Sequence, residues 1–291
     1  MLAPRPPFSL SSVIDSHGWV QLAPFERTET GFTYVDRLAT GRLVRLAIGE
    51  TPGGVSVSTA VKVDGAEARE IAEKVSWMVG LEQDFTPFYA LAAVEPKLRS
   101  AQLAAKGRVL RCPTLFEDTL KTILTTNTQW GGTKRMVRTL VERYGDPLDM
   151  EDGTAGAWVN AFPTPERLAQ AGPEELRNEA KLGYRAPSVA ALARSVASGE
   201  LDLEGLKHSS LSTPELRKQL LSIKGVGPYA AANLLMILGR YDAIPIDSWA
   251  LSVVSKEFHG GRPVGPAEVE AAFEAWGEWK GLAYWFWEYG S

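Results

Sequence analysis

Apolar positions along this chain change period after the first sixty residues. Across residues 8–63 they come in short β-branched or aromatic runs: Val20-Gln21-Leu22, Phe32-Thr33-Tyr34-Val35, residues 43–48 and residues 55–58. Gly31, Gly41 and Thr51-Pro52-Gly53-Gly54 punctuate them. Runs of that length between turn residues predict strands, here an antiparallel sheet. Residues 66–80 then take up helical spacing, with Ile71, Val75 and Met78 on one side, which predicts a helix covering one face of the sheet.

The rest of the chain keeps the helical period. A linking helix is expected around residues 88–103. Thr114 and Glu117 have the spacing of a capping box ahead of Phe116, Leu120, Ile123 and Leu124. Past Thr125-Thr126-Asn127-Thr128-Gln129-Trp130 a second helix is predicted over 133–144, closed by Gly145. Its apolar side is Val137, Leu140, Val141 and Tyr144, with Lys134, Arg135, Arg138 and Arg143 off that stripe. Helices follow at 165–171, 173–181 and 187–198. A final helical segment, 267–290, carries Phe273, Trp276, Trp279, Tyr284, Trp285, Phe286, Trp287 and Tyr289. The pattern predicts an α+β protein: a sheet domain with its covering helix over 1–100, and a mostly helical domain over 101–291.

Residues 213–249 carry the chemistry. Thr213 and Pro214 open a helix with Leu216, Leu220 and Ile223 on one face. Lys224-Gly225-Val226-Gly227 interrupts it, and Pro228 starts another helix with Ala231, Leu234, Leu235 and Leu238 inward. Gly239 stands where a helix C′ residue belongs. Two glycines let the backbone turn tightly and let a ligand approach without meeting a Cβ. Amides at the start of the second helix are unpaired and favour an anion, for which a phosphate is the natural guest. Asp247 follows Ile244-Pro245-Ile246, twenty residues past Gly227. It can cap the helix beginning at Ser248, or do chemistry, or both.

Composition narrows the class. Of 291 residues, 45% are hydrophobic and 23% charged, as in a globular protein. No apolar run approaches the roughly 18–20 residues that span a bilayer, and MLAPRPPFSL has no secretory pattern, so a cytoplasmic location without membrane contact is expected. One cysteine, Cys112, excludes an internal disulfide and a Cys-ligated zinc or iron–sulfur cluster. The net charge of −4 opposes broad coating of nucleic acid and requires any DNA contact to use a local basic face.

The hairpin, the Gly239 stop and the Pro-x-Asp together resemble the helix-hairpin-helix, Gly/Pro-rich loop and Asp signature (HhH-GPD) of the DNA glycosylase superfamily. RVLRCPTLFEDTLKTILTTNTQW and KLGYRA resemble its 8-oxoguanine branch. The position two past Gly227 resembles the alkyladenine branch, because Tyr229 stands where bifunctional members place a nucleophilic lysine. The resemblance implies base-excision repair of double-stranded DNA by a monomer that flips a damaged base. Asp247 would stabilise the cationic sugar. Tyr229, Trp249, Tyr284 and Trp285 would line the base pocket, and Lys224, Gly225, Val226 and Gly227 would grip a phosphate. Asn127 and Gln129 would enter the gap left by the flipped nucleotide, or else cap a helix end. Arg185 would contact phosphate, or else form a core-edge ion pair. A structural monovalent cation would sit on the carbonyls of Leu221, Ile223 and Val226, with no other cofactor. Trp249 and Tyr284 depart from the residues that read 8-oxoguanine. An aromatic pocket suits an electron-poor alkylated purine such as 3-methyladenine, the alternatives being an 8-oxoguanine-type or other oxidised or deaminated base, or DNA-damage binding without catalysis; without an amine at 229 no strand cleavage is expected.

Overall fold

A computed structural model describes residues 1–148 and 160–290. In chain order the elements are α1 (Leu10–Ile14), β1 (Glu26–Arg27), β2 (Gly31–Arg37), β3 (Leu43–Thr51), β4 (Gly54–Thr59), α2 (Gly65–Val79), α3 (Thr86–Ala92) and α4 (Arg99–Leu103). Then come α5 (Leu115–Thr125), α6 (Trp130–Tyr144), α7 (Pro165–Asn178), α8 (Ala186–Ala197), α9 (Thr213–Ser222), α10 (Pro228–Ile237), α11 (Ser248–His259), α12 (Pro266–Ala272) and α13 (Lys280–Phe286). The fold is α+β and mostly helical, with one N-terminal four-stranded antiparallel sheet, as the periodicity predicts. Among the described residues no helix is long and apolar enough to cross a membrane.

Two compact units form, each from two stretches: Met1–Gln83 with Arg108–Gly205, and Asp84–Gly107 with Leu206–Ser291. The units therefore group the chain otherwise than a single boundary near residue 100. In the first, the sheet is a meander in the order β1-β2-β3-β4, with Phe32 opposite Ile48 and Tyr34 opposite Leu46. Alternation in β3 buries Val44, Leu46 and Ile48. α2 starts with a full capping box between Asp64 and Glu67 and buries Ile71, Val75 and Met78. Lys74 ties it to the sheet through Asp36 at 2.9 Å. The strand expected at Val20-Gln21-Leu22 is instead a 3₁₀ turn over Gly18–Gln21. His17 caps the Trp19 amide, and the indole turns inward to donate to Asp118 at 2.7 Å, which closes the segment into a turn.

The helices show where local signals were overridden. Thr114 caps α5 through the Glu117 amide, but the Glu117 carboxylate does not return to complete the box. It is taken up by Lys121 and the Tyr34 hydroxyl, both at 2.6 Å. α6 begins at Trp130, three residues early, because the Gln129 carbonyl already accepts the Gly132 and Thr133 amides. The expected break between 171 and 173 falls at Gly172, whose φ of +72° interrupts α7.

In the second unit the linking helix is broken. Pro96 forces Glu95 into extended backbone, so α3 ends early and a 3₁₀ turn, Pro96–Leu98, precedes α4. The final segment is likewise α12, a 3₁₀ stretch interrupted at Gly277 and then α13. Ile244, Ala250, Val254, Val269, Phe273, Ala283 and Tyr284 make a core that joins α11 to α13.

Candidate active site

The hairpin between α9 and α10 is built by two glycines with different duties. Gly225 sits at φ +94°, where a side chain would be strained. Gly227 caps α10 at an ordinary φ of −94°, and no atom lies within 4 Å of where its Cβ would be. The fold needs glycine at 225. At 227 the missing side chain leaves open space in front of the helix. Lys224, just before Gly225, is exposed. The Ile223 carbonyl accepts the Val226 amide at 3.0 Å, and no amide donor reaches the Leu221 or Val226 carbonyls among the described residues.

α10 ends in a Schellman turn: Gly239 is left-handed at φ +80°, and the Arg240 amide donates to the Leu235 carbonyl at 2.8 Å. The Arg240 guanidinium then holds the Ser209 carbonyl at 2.9 Å. Ile244 and Pro245 are buried and direct the chain to Asp247, the N-cap of α11. One carboxylate oxygen, Oδ1, accepts the Ala250 amide at 2.9 Å. The other carries no hydrogen bond among the described residues. Asp247 is exposed, because the cap places it at the outer end of the helix.

An aromatic wall adjoins this carboxylate. Burial and then the Asp247 charge push the Tyr229 phenol up, against a hydrogen bond from Asn233 that pulls it down. Tyr284 is 3% exposed, and burial, Asp247 and Tyr229, in that order, push its phenol up as well. Both phenols stay neutral. Trp249 is 53% exposed and meets Tyr284 and Tyr289 edge-to-face, with centroids 6.1 and 5.3 Å away. Trp285 is half-buried and packs against the core. Tyr289 was counted in the aromatic cluster from sequence but given no role. Its signal is its place one turn beyond Tyr284, which its hydroxyl reaches at the backbone carbonyl, 3.0 Å away.

The first unit holds the remaining residues. Asn127 adopts φ +48° at the tip of an exposed turn, and neither its side chain nor that of Gln129 is hydrogen-bonded among the described residues, so neither side chain caps a helix, although Gln129 is the N-cap of α6 through its backbone. Arg185 is buried; its guanidinium donates to the Thr126 carbonyl and lies 4.5 Å from the Tyr184 ring. It braces the Asn127 turn from behind and forms no ion pair among the described residues. Lys134, Arg135 and Arg138 project from α6 and line a cleft of about 460 Å³ with Gln21, Ala23 and Gly131. In the sequence these cations stand off the apolar stripe of α6.

A glycine-turned helical hairpin with a carboxylate at the next helix start defines the helix-hairpin-helix class of DNA repair proteins. Residues 120–278 match the HhH-GPD superfamily of base excision DNA repair proteins, and the chain belongs to that superfamily. It is similar to DNA-3-methyladenine glycosylase of Bacillus subtilis, 29% identical over 224 residues that cover 76% of this chain and 72% of that protein. Its fold is that of a 3-methyladenine DNA-glycosylase from Archaeoglobus fulgidus, with a TM-score of 0.77, 21% identity, and 98% and 96% of the two chains covered. It is also that of an 8-oxoguanine glycosylase/lyase from Clostridium acetobutylicum, with a TM-score of 0.73, 23% identity, and 96% and 91% covered. Solved structures of similar fold thus include glycosylases from both branches that the sequence motifs resemble.

Proposed function

We propose that this protein is a monofunctional DNA glycosylase that hydrolyses the N-glycosidic bond of an alkylated purine, such as 3-methyladenine, flipped out of double-stranded DNA. The observation that carries it is Asp247 capping α11 with one carboxylate oxygen left free, together with Tyr229 at the hairpin exit, where a lyase needs an amine. The C1′–N bond breaks first, and the base leaves with the bonding electrons. The free Oδ2 of Asp247 faces the sugar as positive charge develops there. Water then bonds to C1′ and yields its proton to the carboxylate or to solvent. Lys224 faces phosphate rather than the sugar, so no Schiff base forms and the strand stays intact.

Recognition follows from the same residues. The hairpin amides and Lys224 hold a backbone phosphate, and the carbonyls of Leu221, Ile223 and Val226 would hold a monovalent cation that adds positive charge there. Asn127 and Gln129 face the gap in the duplex. Lys134, Arg135 and Arg138 supply the local basic face that a chain of net charge −4 requires. A cationic alkylated ring gains from stacking on the exposed Trp249, by about 0.5–2 kcal/mol, while the buried Tyr284 backs that indole edge-on, and its weakened glycosidic bond needs little acid assistance.

The test is a panel of duplexes carrying alkylpurines, hypoxanthine, uracil and 8-oxoguanine, developed with and without alkali. Release of alkylpurines as alkali-labile sites alone is expected. Cleavage without alkali, borohydride trapping, or release of 8-oxoguanine alone would contradict the reading. Asp247→Asn is expected to lower release by about 10²–10³-fold while sparing duplex binding.

A further inference from the structure

The last described residues are held at several points. The break at Pro96 places Lys97 where its carbonyl accepts the Glu288 amide at 3.0 Å and its ammonium reaches the Glu288 carbonyl at 3.3 Å. Lys97 also pairs with Glu257 of α11 at 2.7 Å, in a contact that leaves the two side chains only 25% and 17% exposed. Glu257 in turn accepts the Trp287 indole N–H at 3.4 Å and the Gly290 amide at 3.3 Å. One ion pair therefore grips residues 287–290 from both sides. Isolated exposed pairs contribute little, but a shared network that also satisfies backbone groups holds its members together.

Tyr289 lies within the gripped stretch. Its hydroxyl donates to the Tyr284 carbonyl at 3.0 Å, and its ring meets Trp249 at 5.3 Å and Tyr284 at 6.3 Å. Trp249 stands on the first turn of α11, two residues from Asp247, and is more than half exposed. A large side chain with that much freedom stacks on a base productively only if something fixes its rotamer. The edges of Tyr284 and Tyr289 do so.

We infer that Lys97 and Glu257 form a clamp on the C-terminal segment, and that the clamped Tyr289 is a positioning residue that sets the Trp249 face for the flipped base. The inference rests on the glycosylase reading above. It makes residues far apart in sequence, 97, 257 and 289, act on excision through one indole.

Two measurements on the full chain test it. Hydrogen exchange of Glu257→Gln and Lys97→Met reads the clamp, and both are expected to speed exchange of the 288–290 amides. Single-turnover excision from an alkylpurine duplex reads the positioning. Tyr289→Ala and Glu257→Gln are expected to fall about tenfold, and Tyr289→Phe, which keeps the ring, less than threefold. Binding to a duplex with an abasic analogue, which offers no base to stack, should move less than twofold. Unchanged exchange in Glu257→Gln, wild-type excision by Tyr289→Ala, or abasic binding that falls in step with excision would each overturn the inference. Failure of the glycosylase reading has a different sign: wild-type protein that releases no base from any lesion, which removes the positioning role with it.

Discussion

Lys121 offers the sharpest test of how the first unit is held together. It lies on α5 with none of its side chain exposed, its ammonium 2.6 Å from Glu117 and above the rings of Phe25 at 4.8 Å and Phe162 at 5.4 Å. The second Glu117 oxygen accepts the Tyr34 hydroxyl at 2.6 Å. Burial pulls the lysine down, yet Cys112, Glu117 and Asp118 outweigh it and raise its pKa overall. Lys121→Met keeps the stem and removes the charge, leaving a buried carboxylate with one neutral donor. Breaking a buried pair in this way costs about 3–5 kcal/mol, which for a chain of this size is a Tm loss of roughly 6–20 °C. Glu117→Gln retains an acceptor for Tyr34 and leaves the ammonium between two aromatic faces, which return up to about 2 kcal/mol, so it should cost less. The double variant Glu117→Gln/Lys121→Met removes both charges of this pair and should be more stable than Lys121→Met alone. Urea titrations followed by circular dichroism measure all three. A Lys121→Met variant within about 1 kcal/mol of wild type, or strictly additive losses, would refute the view that charge burial governs this site.

Three other outcomes follow from particular contacts. Gly225→Ala should lower Tm because position 225 is left-handed, whereas Gly227→Ala should leave Tm unchanged and weaken duplex binding by about tenfold or more; equal melting losses would refute the division of labour. His17 is held down to about 4 by burial, and Asp118 is pushed up to about 6 by burial. Stability from neutral His17 is therefore lost as pH falls from 6.5 to about 4, and stability from protonated Asp118 is lost as pH rises from 3.8 to about 6. The two oppose each other in wild type, and His17→Gln should leave a Tm that falls as pH rises across that window; an unaltered Tm profile counts against the pairing. Lys134→Ala and Arg135→Ala should each reduce the slope of log binding constant against log salt by about 1, while Arg194→Ala, on α8 beside Glu200, should not.

Sequence pattern was a good guide where the cause is local. A left-handed glycine after an apolar helix, a Pro at a first helical position and an Asp ahead of Ser248-Trp249 act within one turn, so the hairpin, the Gly239 stop and the Asp247 cap were all legible. Glu117, Asp118 and Lys121 were not. Their i, i+4 spacing is that of a solvated helix face, and only Tyr34 and Trp19, about a hundred residues earlier in the chain, make it an interior. The same remoteness hid Arg185, whose partner is the Thr126 carbonyl, and the Lys97–Glu257 pair that holds Tyr289. Non-local partners leave no trace in periodicity.

The exposure of Asp247 changes how its chemistry has to be understood. A carboxylate facing water exerts little field, since two charges 4 Å apart interact by about 1 kcal/mol in bulk water and about 4 kcal/mol at the effective dielectric near a protein surface. The free protein therefore does not hold a strong electrostatic site in waiting. In the proposed reaction the flipped nucleotide supplies the missing insulation: its base covers the exposed Trp249 face, its sugar covers the free Oδ2, and water leaves as both arrive. The Ala250 amide has already fixed the carboxylate, so displacing water raises its field without reorganising it. An abasic product removes the base, lets water return and weakens the same field. A shallow, aromatic-walled carboxylate is thus strongest when a base is present, and it discriminates by how well that base excludes water. That favours a flat, poorly hydrated alkylated ring over one rich in hydrogen-bonding groups.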